Sequence, residues 1–406
     1  MTIEDDKSKS SSNDNLQIKP EALKKKIDKG EDIFILDVRT PEEHKSWKVS
    51  YDKYRDSSVI PIDALSSPDT LKQIPKDKEI VTFCTHGNRS MGAAKMLSDL
   101  DYNAKSIQGG LDGWNSVYDI ADITNDANST ARIWQIRRVS KGCMSYVIAT
   151  ESDKKAIVID PTCEIDNVIR KIVNENDLKI TIVIDTHMHA DHLSGATRLA
   201  KRYGADVYGS SLEGYDYANS GDHINFKLVM DGDNIDVGKG VILQAIHTPG
   251  HTNGSMSFKL QFDKINNTKT NVNNHKSYLF TGDTLFIDGV GRPDLHNKAD
   301  EFAHNLFNSY RQTILNLSDE TIILPAHFSS SFSHEKPISN NIKSMKQQMN
   351  LLSLSEDKFV EFVTASIPPQ PMNYRKIISI NKKLIPCDKV EEQDIEAGPN
   401  SCGIRV

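Results

Sequence analysis

Two short segments of the 406-residue chain carry the side chains best suited to chemistry. The first, residues 84–90 (CTHGNRS), has a glycine and an arginine close behind a thiol. The second, residues 186–192 (THMHADH), combines imidazoles with a carboxylate. A thiolate in an arginine-bearing loop can carry a sulfane sulfur, and imidazoles with a carboxylate can hold a metal that activates oxygen or water at that sulfur. Together the two segments indicate sulfur chemistry.

The thiol of the first segment belongs to Cys84, which directly follows an apolar strand predicted at residues 80–83. A helical stretch follows Ser90, so the thiol is expected where a strand ends and a helix begins. Backbone N–H groups, the helix dipole and Arg89 favour an anionic sulfur at such a junction. A lone cysteine at a strand end is more often a buried core residue. Gly87 and Arg89 at their spacing favour the functional interpretation.

Four loops, each directly after a predicted apolar strand, contain the candidate metal ligands. The H-x-H-x-D-H spacing of residues 187–192 lets one turn aim several ligands at one point, and three later loops supply the others. A lone histidine is more often a core or surface residue, but this recurrence after strands favours a metal site. The candidates are His187, His189, Asp191, His192, His251, Asp283 and His327.

Length, composition and charge narrow the class of protein. A chain of 406 residues favours two domains, and contents of 37% hydrophobic and 26% charged residues are ordinary for a soluble protein. The longest apolar runs are strand-sized, so no membrane partner is expected. The formal net charge of −7 argues against a broad nucleic-acid-binding face.

The amino terminus and the cysteines bear on location. The first residues lack the basic start and apolar stretch of a secretory signal, so a cytoplasmic location is expected. The number of cysteines is odd and no CxxC spacing occurs, so neither a disulfide framework nor a zinc knuckle is indicated. The cysteines are Cys84, Cys143, Cys163, Cys387 and Cys402.

Alternating strand and helix patterns predict an α/β protein of two domains. Many short strands in the second half favour two sheets there, and helical apolar spacing extends over residues 342–365. An Asn-rich segment at 266–274 is predicted to be an exposed loop. The expected limits are a disordered tail at 1–14, a first domain at 15–122, a linker at 123–131, a second domain at 132–365 and a C-terminal extension at 366–406 that packs on the second domain.

Three signatures in the N-terminal region resemble the rhodanese family of sulfurtransferases. They are residues 36–44 (LDVRTPEEH), 84–90 and 109–114 (GGLDGW), in the family's order. The resemblance covers about residues 16–120 and implies a rhodanese-like domain in which Cys84 carries a persulfide. Its further implications are that Arg89, with His86 and Gly87, holds the persulfide and the anionic donor, and that Asp37 and Arg39 are structural.

The strand-end ligands resemble the metallo-β-lactamase fold superfamily over about residues 130–365, which implies an αββα sandwich. In hydrolases similar to glyoxalase II, all seven positions bind two metals, bridged at Asp283. In the persulfide dioxygenase branch, one iron is held at the positions of His187, His251 and Asp283, which leaves open sites for O₂ and substrate sulfur. The spacing alone does not separate these cases. In the second case, the positions that orient ligands or contact substrate are His189, Asp191, His192 and His327.

The rhodanese-like region favours the iron enzyme, because a sulfur carrier has a direct use beside persulfide oxidation and none evident beside an ester hydrolase. Residues 289–295 also resemble a persulfide dioxygenase segment in which Arg292 lies near the carboxylate of the thiol substrate. Glutathione-using members commonly have threonine where this chain has Pro293. They also commonly have Asp-Tyr where this chain has Phe328 and Ser329. The thiol carrier therefore stays open between glutathione, coenzyme A, another small thiol and a protein.

The sequence thus predicts a rhodanese sulfurtransferase fused to an Fe(II)-dependent persulfide dioxygenase, with one iron per chain. The enzyme would convert a small persulfide and O₂ into sulfite and free thiol. Cys84 would exchange sulfane sulfur with the same pool, as thiosulfate or persulfide, in a direction that stays open. The alternative is a two-zinc thioester hydrolase, and a less favoured one is a sulfur-relay protein whose metal domain only binds. A homo-oligomer and a minor chemical role for Cys402 also stay open.

Overall fold

The computed structural model describes residues 15–49, 57–124, 130–262, 276–295, 298–328, 333–370, 373–385, 395–396 and 401–405. The expected tail at 1–14, the Asn-rich loop at 266–274 and residues 125–129 of the expected linker lie outside the described residues. The chain divides into two compact units. Unit 1 comprises Met1–Asp119 with Arg138–Lys141 and Ser331–His334, and unit 2 comprises the remainder. The domain limits expected from the sequence stay a prediction.

Unit 1 is built on a five-stranded sheet whose neighbouring strands all pair in parallel, in the order β1-β5-β4-β2-β3. The strands are β1 (Gln17–Ile18), β2 (Ile33–Asp37), β3 (Ser58–Val59), β4 (Glu79–Phe83) and β5 (Ala104–Ile107). The helices are α1 (Pro20–Asp28), α2 (Pro41–Ser46), α3 (Pro68–Leu71), α4 (Asn88–Ser98) and α5 (Gly110–Trp114). Leu36, Ile80 and Ala93 meet in the buried core of this unit.

Parallel pairing brings the two chemical signatures of unit 1 to one edge of its sheet. Asp37, the last residue of β2, lies opposite Phe83, the last residue of β4. The carboxyl ends of both strands therefore meet, and the backbone N–H of Val38 donates to the carbonyl of Phe83 at 2.9 Å. Arg39 and Cys84 consequently leave the sheet at the same edge.

Unit 2 contains two larger sheets and a small one. The seven-stranded sheet has the order β12-β11-β10-β9-β8-β7-β6, the six-stranded sheet has the order β13-β14-β15-β16-β18-β19, and β17 pairs with β20. The strands of the first sheet are β6 (Tyr118–Asp122), β7 (Ala131–Arg138), β8 (Met144–Thr150), β9 (Lys155–Ile159), β10 (Lys179–Ile184), β11 (Asp206–Ser210) and β12 (Phe226–Val229). The remaining strands are β13 (Asn234–Gly238), β14 (Val241–His247), β15 (Met256–Phe262), β16 (Tyr278–Gly282), β17 (Gly289–Gly291), β18 (Ile322–Pro325), β19 (Asn340–Asn341) and β20 (Gly403–Arg405).

The two large sheets pack face to face with helices outside them. The ring of Tyr146 on β8 contacts the ring of Phe280 on β16 with centroids 5.0 Å apart, and its hydroxyl donates to the carbonyl of Pro325 at 2.6 Å. Leu306 and Phe359, from two helices, pack on the other face of the six-stranded sheet. The helices are α6 (Asp166–Asn176), α7 (Ala196–Tyr203), α8 (Ala299–Asn308), α9 (Ile342–Gln348), α10 (Glu356–Ala365) and α11 (Tyr374–Asn381). This layering, with the sheet of unit 1, confirms the predicted α/β fold class.

The helical apolar spacing predicted over residues 342–365 corresponds to two helices joined by a short turn. The chain forms α9, a 3₁₀ turn at Asn350–Ser353, and then α10. Met349 ends α9 in an extended conformation, with φ −105° and ψ 97°. The apolar side chains that produced the pattern are buried on both sides of the break. Their spacing marked a buried face rather than an unbroken helix. In the part of the chain that the structure describes, no helix is long and apolar enough to cross a membrane.

A buried ion pair fixes the loop that follows β2. The guanidinium of Arg39 donates to Asp37 at 3.0 Å and 2.7 Å and also to the carbonyl of Trp47, while both charged residues are almost wholly buried. The substitution Asp37→Asn leaves this guanidinium buried without its counter-charge. We expect it to lower the free energy of local opening in unit 1 by about 3–5 kcal/mol.

The measurement is amide hydrogen exchange, which separates peptides of unit 1 from those of unit 2. The matched control is Asp69→Asn, because the Asp69–Lys72 pair is exposed and such pairs contribute little. Equal protection of β2 and β4 in the two variants would contradict the assignment.

Candidate metal and thiol sites

Three buried ligand atoms converge where strands of unit 2 end. His187 follows β10, His251 follows β14 and Asp283 follows β16. Nε2 of His187 lies 3.6 Å and Nε2 of His251 lies 3.5 Å from Oδ2 of Asp283. None of these three atoms has a hydrogen-bond partner among the described residues. We call His187, His251 and Asp283 the metal triad.

Close backbone approach lets the loops of the metal triad meet. Gly282, directly before Asp283, has φ +51°, a conformation that side chains with a Cβ rarely adopt. A Cβ atom there would lie 2.7 Å from Oγ1 of Thr186, which precedes His187. A side chain at residue 282 would therefore push two ligand loops apart.

Hydrogen bonds determine which ring nitrogen of His187 and of His251 is available to a metal ion. Oδ2 of Asp160 accepts the hydroxyl of Thr186 at 2.8 Å, so that hydroxyl oxygen can accept from Nδ1 of His187, also at 2.8 Å. Nδ1 of His251 donates to the backbone carbonyl of Arg292 at 2.9 Å. Both Nε2 atoms are thereby left with lone pairs. Burial and neighbouring imidazoles hold the pKa of His187 well below its usual value, and burial lowers the pKa of His251.

The metal triad fits a metal ion. Buried polar atoms are normally paired, and leaving one without a partner costs free energy. Three such atoms within 4.8 Å of one another therefore form a candidate set of metal ligands. Neutral imidazoles and a carboxylate are ligands that transition metals such as iron and zinc accept.

His327 is held between two carboxylates. Its Nδ1 lies 2.6 Å from Oδ1 of Asp283, and its Nε2 lies 2.9 Å from Oδ2 of Asp191. Burial by itself lowers the pKa of His327, but these carboxylates raise it well above its usual value. A protonated His327 that bridges them steers Oδ2 of Asp283 toward the other two members of the metal triad.

Cys143, Asp191, His192 and His327 form a second ligand group, in which each residue offers one atom within 4.8 Å of the others. Sγ of Cys143 lies 3.3 Å from Oδ2 of Asp191, and Nδ1 of His192 lies 3.0 Å from Oδ1 of the same carboxylate. Nε2 of His192 has no partner among the described residues, and neither has Nδ1 of nearby His189. These atoms keep a second metal chemically feasible. Cys143 was missed from the sequence because one cysteine before a strand has no distinctive spacing.

His189 is bound to a buried carboxylate. Its Nε2 lies 3.1 Å from Oδ1 of Asp160, the residue that also supports Thr186. Its backbone carbonyl accepts from the side-chain amide of Asn381 at 3.0 Å, and the carbonyl of His192 accepts from the same amide at 2.9 Å. Asn381 therefore holds the loop of residues 187–192 from the C-terminal side of the chain.

Arg292 has its side chain engaged by protein acceptors. The buried guanidinium pairs with Asp294 at 2.7 Å and 2.9 Å and donates to the carbonyls of Pro368, Pro369 and Ser401 at 2.8–2.9 Å. Its own carbonyl orients His251. These contacts make Arg292 a positioning residue, while the predicted contact with the substrate carboxylate stays a prediction.

Backbone donors surround the thiol of Cys84. Its Sγ lies 3.1 Å from the N–H of Gly87, 3.4 Å from the N–H of Ser90 and 3.4 Å from the hydroxyl of Ser90. Gly87 has φ +96° and precedes α4, so a left-handed turn directs these N–H groups inward. This loop, residues 84–90, can stabilise a thiolate or a terminal persulfide.

Both basic side chains of the thiol loop pair with carboxylates. Arg89 donates to Glu43 at 2.9 Å and 2.6 Å, and Nδ1 of His86 contacts Asp112 on α5. Sequence reasoning assigned Arg89 and His86 to the sulfur and its donor but missed their acidic partners. These pairs join residues 46 and 26 positions apart in the chain, so they depend on tertiary packing that local sequence patterns do not show.

Comparison with known proteins identifies two families. The model of the metallo-beta-lactamase superfamily matches residues 140–265, and that of the rhodanese-like domain matches residues 19–117. An uncharacterised protein of Mycobacterium tuberculosis is 31% identical over 207 residues, which are 47% of this chain and 87% of that protein. The chain belongs to the metallo-beta-lactamase superfamily. It combines that domain with a rhodanese-like domain, as the sequence predicted.

Other relatives of this metallo-beta-lactamase superfamily protein carry two kinds of name. The human mitochondrial persulfide dioxygenase ETHE1 is 28% identical over 59% of this chain and 83% of its own length. BaeB of Bacillus velezensis, a probable polyketide biosynthesis zinc-dependent hydrolase, is 31% identical over 53% of this chain and 85% of its own.

Solved structures agree with these relatives. A metallo-beta-lactamase from Staphylococcus aureus has a TM-score of 0.54 and 28% identity, covering 63% of this chain and 73% of that one. ETHE1 from Myxococcus xanthus has a TM-score of 0.50 and 28% identity, covering 62% and 97%. Fold and relatives together support a metal-dependent enzyme of the hydrolase or dioxygenase type.

Metal content should depend on the metal triad. We expect His251→Ala to lower occupancy at least about tenfold, because it removes one of three ligands. His192→Ala, the matched control, removes an imidazole of the second ligand group and should leave about one ion per chain. Elemental analysis of protein purified without air measures both. Equal loss in the two variants would instead indicate a dinuclear centre.

Arg292→Gln should destabilise unit 2 by about 3 kcal/mol or more, because its partners are buried. Arg132→Gln is the control, since the Arg132–Asp122 pair is partly exposed. Hydrogen exchange of β17 and β20 measures the difference. If Arg292→Gln left protection intact and only raised the KM for a persulfide, a direct substrate contact would be the better assignment.

Proposed function

We propose that this protein is a persulfide dioxygenase whose metal triad binds one Fe(II), coupled to a rhodanese-type sulfurtransferase that acts through Cys84. The observation that carries the proposal is the set of three unpartnered ligand atoms on His187, His251 and Asp283. When bound by His187, His251 and Asp283, the iron would supply the redox chemistry by which O₂ oxidises the terminal sulfur of a small persulfide. The overall reaction consumes a persulfide, O₂ and water, and it yields the thiol, sulfite and two protons.

The residues around the metal triad support this chemistry because they fix the orientation of its ligands. Asp160 and Thr186 keep the lone pair of His187 at Nε2, and the carbonyl of Arg292 does the same for His251. His327 engages Oδ1 of Asp283, so one oxygen of that carboxylate stays directed at the metal position. Burial of all these groups excludes bulk water, which protects reactive sulfur species from side reactions.

At the thiol loop, the thiolate of Cys84 attacks the outer sulfur of a donor. A bond forms between the two sulfurs, the donor's own bond to that sulfur breaks, and the leaving group keeps the electron pair. The N–H groups of Gly87 and Ser90 stabilise the anionic sulfur before and after transfer. No net oxidation occurs, so the step needs no further cofactor.

The second candidate is a dinuclear zinc hydrolase that cleaves a thioester. Two observations favour it: the second ligand group converges beside the metal triad, and one relative is named as a zinc-dependent hydrolase. In the one-metal enzyme, His327 would keep its hydrogen bonds to Asp283 and Asp191. The two candidates differ in metal number and in their need for O₂.

O₂ uptake on addition of glutathione persulfide tests the proposal. Air-free, iron-loaded protein should consume O₂ and form sulfite, and Asp283→Ala should lower the rate by at least about a thousandfold because a charged ligand is lost. Cys84→Ser should retain O₂ uptake but lose sulfur transfer to cyanide. Two zinc ions per chain, no uptake and hydrolysis of an acyl-glutathione thioester would establish the hydrolase instead.

A further inference from the structure

The thiol loop has no unpaired cationic side chain. Arg89 and His86 are its basic residues, and each contacts a carboxylate from outside the loop. The Arg89–Glu43 contact has two hydrogen bonds, at 2.9 Å and 2.6 Å, the geometry of strong guanidinium–carboxylate pairs. Both members of this pair are only partly buried, so they can be reached by a donor at the loop.

The sulfur itself is stabilised without these cations. The N–H groups of Gly87 and Ser90 and the hydroxyl of Ser90 surround Sγ of Cys84. Arg89 interacts with Cys84 only through its charge, whereas it is hydrogen-bonded to Glu43. Hydrogen bonding to Arg89 lowers the pKa of Glu43 to about 2, so this carboxylate stays ionised near neutral pH. Among the described side chains, the guanidinium of Arg89 and the carboxylates of Glu43 and Asp112 are therefore charges that an incoming donor meets beside the loop.

We propose that Glu43 and Asp112 are specificity-determining residues that select an organic persulfide over thiosulfate as the sulfur donor of Cys84. This inference rests on the proposed sulfurtransferase function and deepens it. In thiosulfate, a charged sulfonate is bonded directly to the transferred sulfur. In an organic persulfide, the atoms next to the transferred sulfur are an uncharged sulfur and carbon. Carboxylates beside the thiol loop, of which Glu43 neutralises Arg89, therefore penalise thiosulfate more.

Both transfers balance in atoms and charge. With an organic persulfide, the Cys84 thiolate takes the outer sulfur together with its proton, and an organic thiolate leaves. With thiosulfate, it takes the outer sulfur and a sulfite dianion leaves. The second reaction brings a greater negative charge next to Glu43 and produces a dianion there. The carboxylates of Glu43 and Asp112 therefore slow the second reaction more than the first.

Glu43→Gln tests the proposal with little structural change. Glutamine keeps the side-chain length and can still serve the capping box with Thr40, but it leaves Arg89 without its counter-charge. Asp112→Asn removes the negative charge that lies against His86. The measurement is the rate at which Cys84 gains one sulfur atom, read by rapid quench and intact mass, with thiosulfate or glutathione persulfide as donor. Cys84→Ser gives the background.

We expect Glu43→Gln to raise the thiosulfate-to-persulfide rate ratio roughly three- to tenfold, and the double variant to raise it further, with a smaller gain at high salt. Glu42→Gln is the matched control, because it removes the same charge from an exposed neighbouring position on α2. If the Glu43→Gln protein folds like the wild type and Cys84 can still be loaded with sulfur, an unchanged thiosulfate-to-persulfide rate ratio would overturn the specificity proposal alone. If neither donor loads wild-type Cys84, the sulfurtransferase function is overturned together with the specificity proposal.

Discussion

Burial without a protein partner is the constraint on which the metal site depends. The three ligand atoms of the metal triad are buried without a hydrogen-bond partner among the described residues. Each such atom lowers the stability of the fold by on the order of 1–3 kcal/mol unless a bound ligand pairs with it. The fold accepts that cost because the other polar atom of each side chain is satisfied, by Thr186, by the carbonyl of Arg292 or by His327. The site is thus prepared for a ligand before the ligand arrives.

Both chemical sites use the same property of layered α/β structure. Strand ends bring residues that are distant in sequence to one edge, so loops rather than the sheets carry the reactive groups. In unit 1, the parallel register of β2 and β4 brings Arg39 and Cys84 to one edge. In unit 2, the loops after β10, β14, β16 and β18 bring four ligand segments together. Positive φ at Gly87 and Gly282 permits the close turns that this requires.

The sequence was most informative where side chains able to bind a metal directly follow apolar strands. His187, His251 and Asp283 could be predicted as ligands because each follows a strand that its hydrophobic pattern reveals. Cys143 could not, since its proximity to Asp191 depends on tertiary packing between segments far apart in the chain. The break at Met349 was hidden because burial continued across it.

One or two metals would require different arrangements of the same atoms. His327 has two ring nitrogens, and each already faces a carboxylate, Asp283 on one side and Asp191 on the other. A second metal would need the nitrogen that now lies against Asp191, together with Oδ2 of that carboxylate, which also contacts Cys143. Binding there would replace the contact between His327 and Asp191, whereas the three atoms of the metal triad have no protein contact to give up. The number of metal ions therefore depends on whether His327 keeps both of its carboxylate partners.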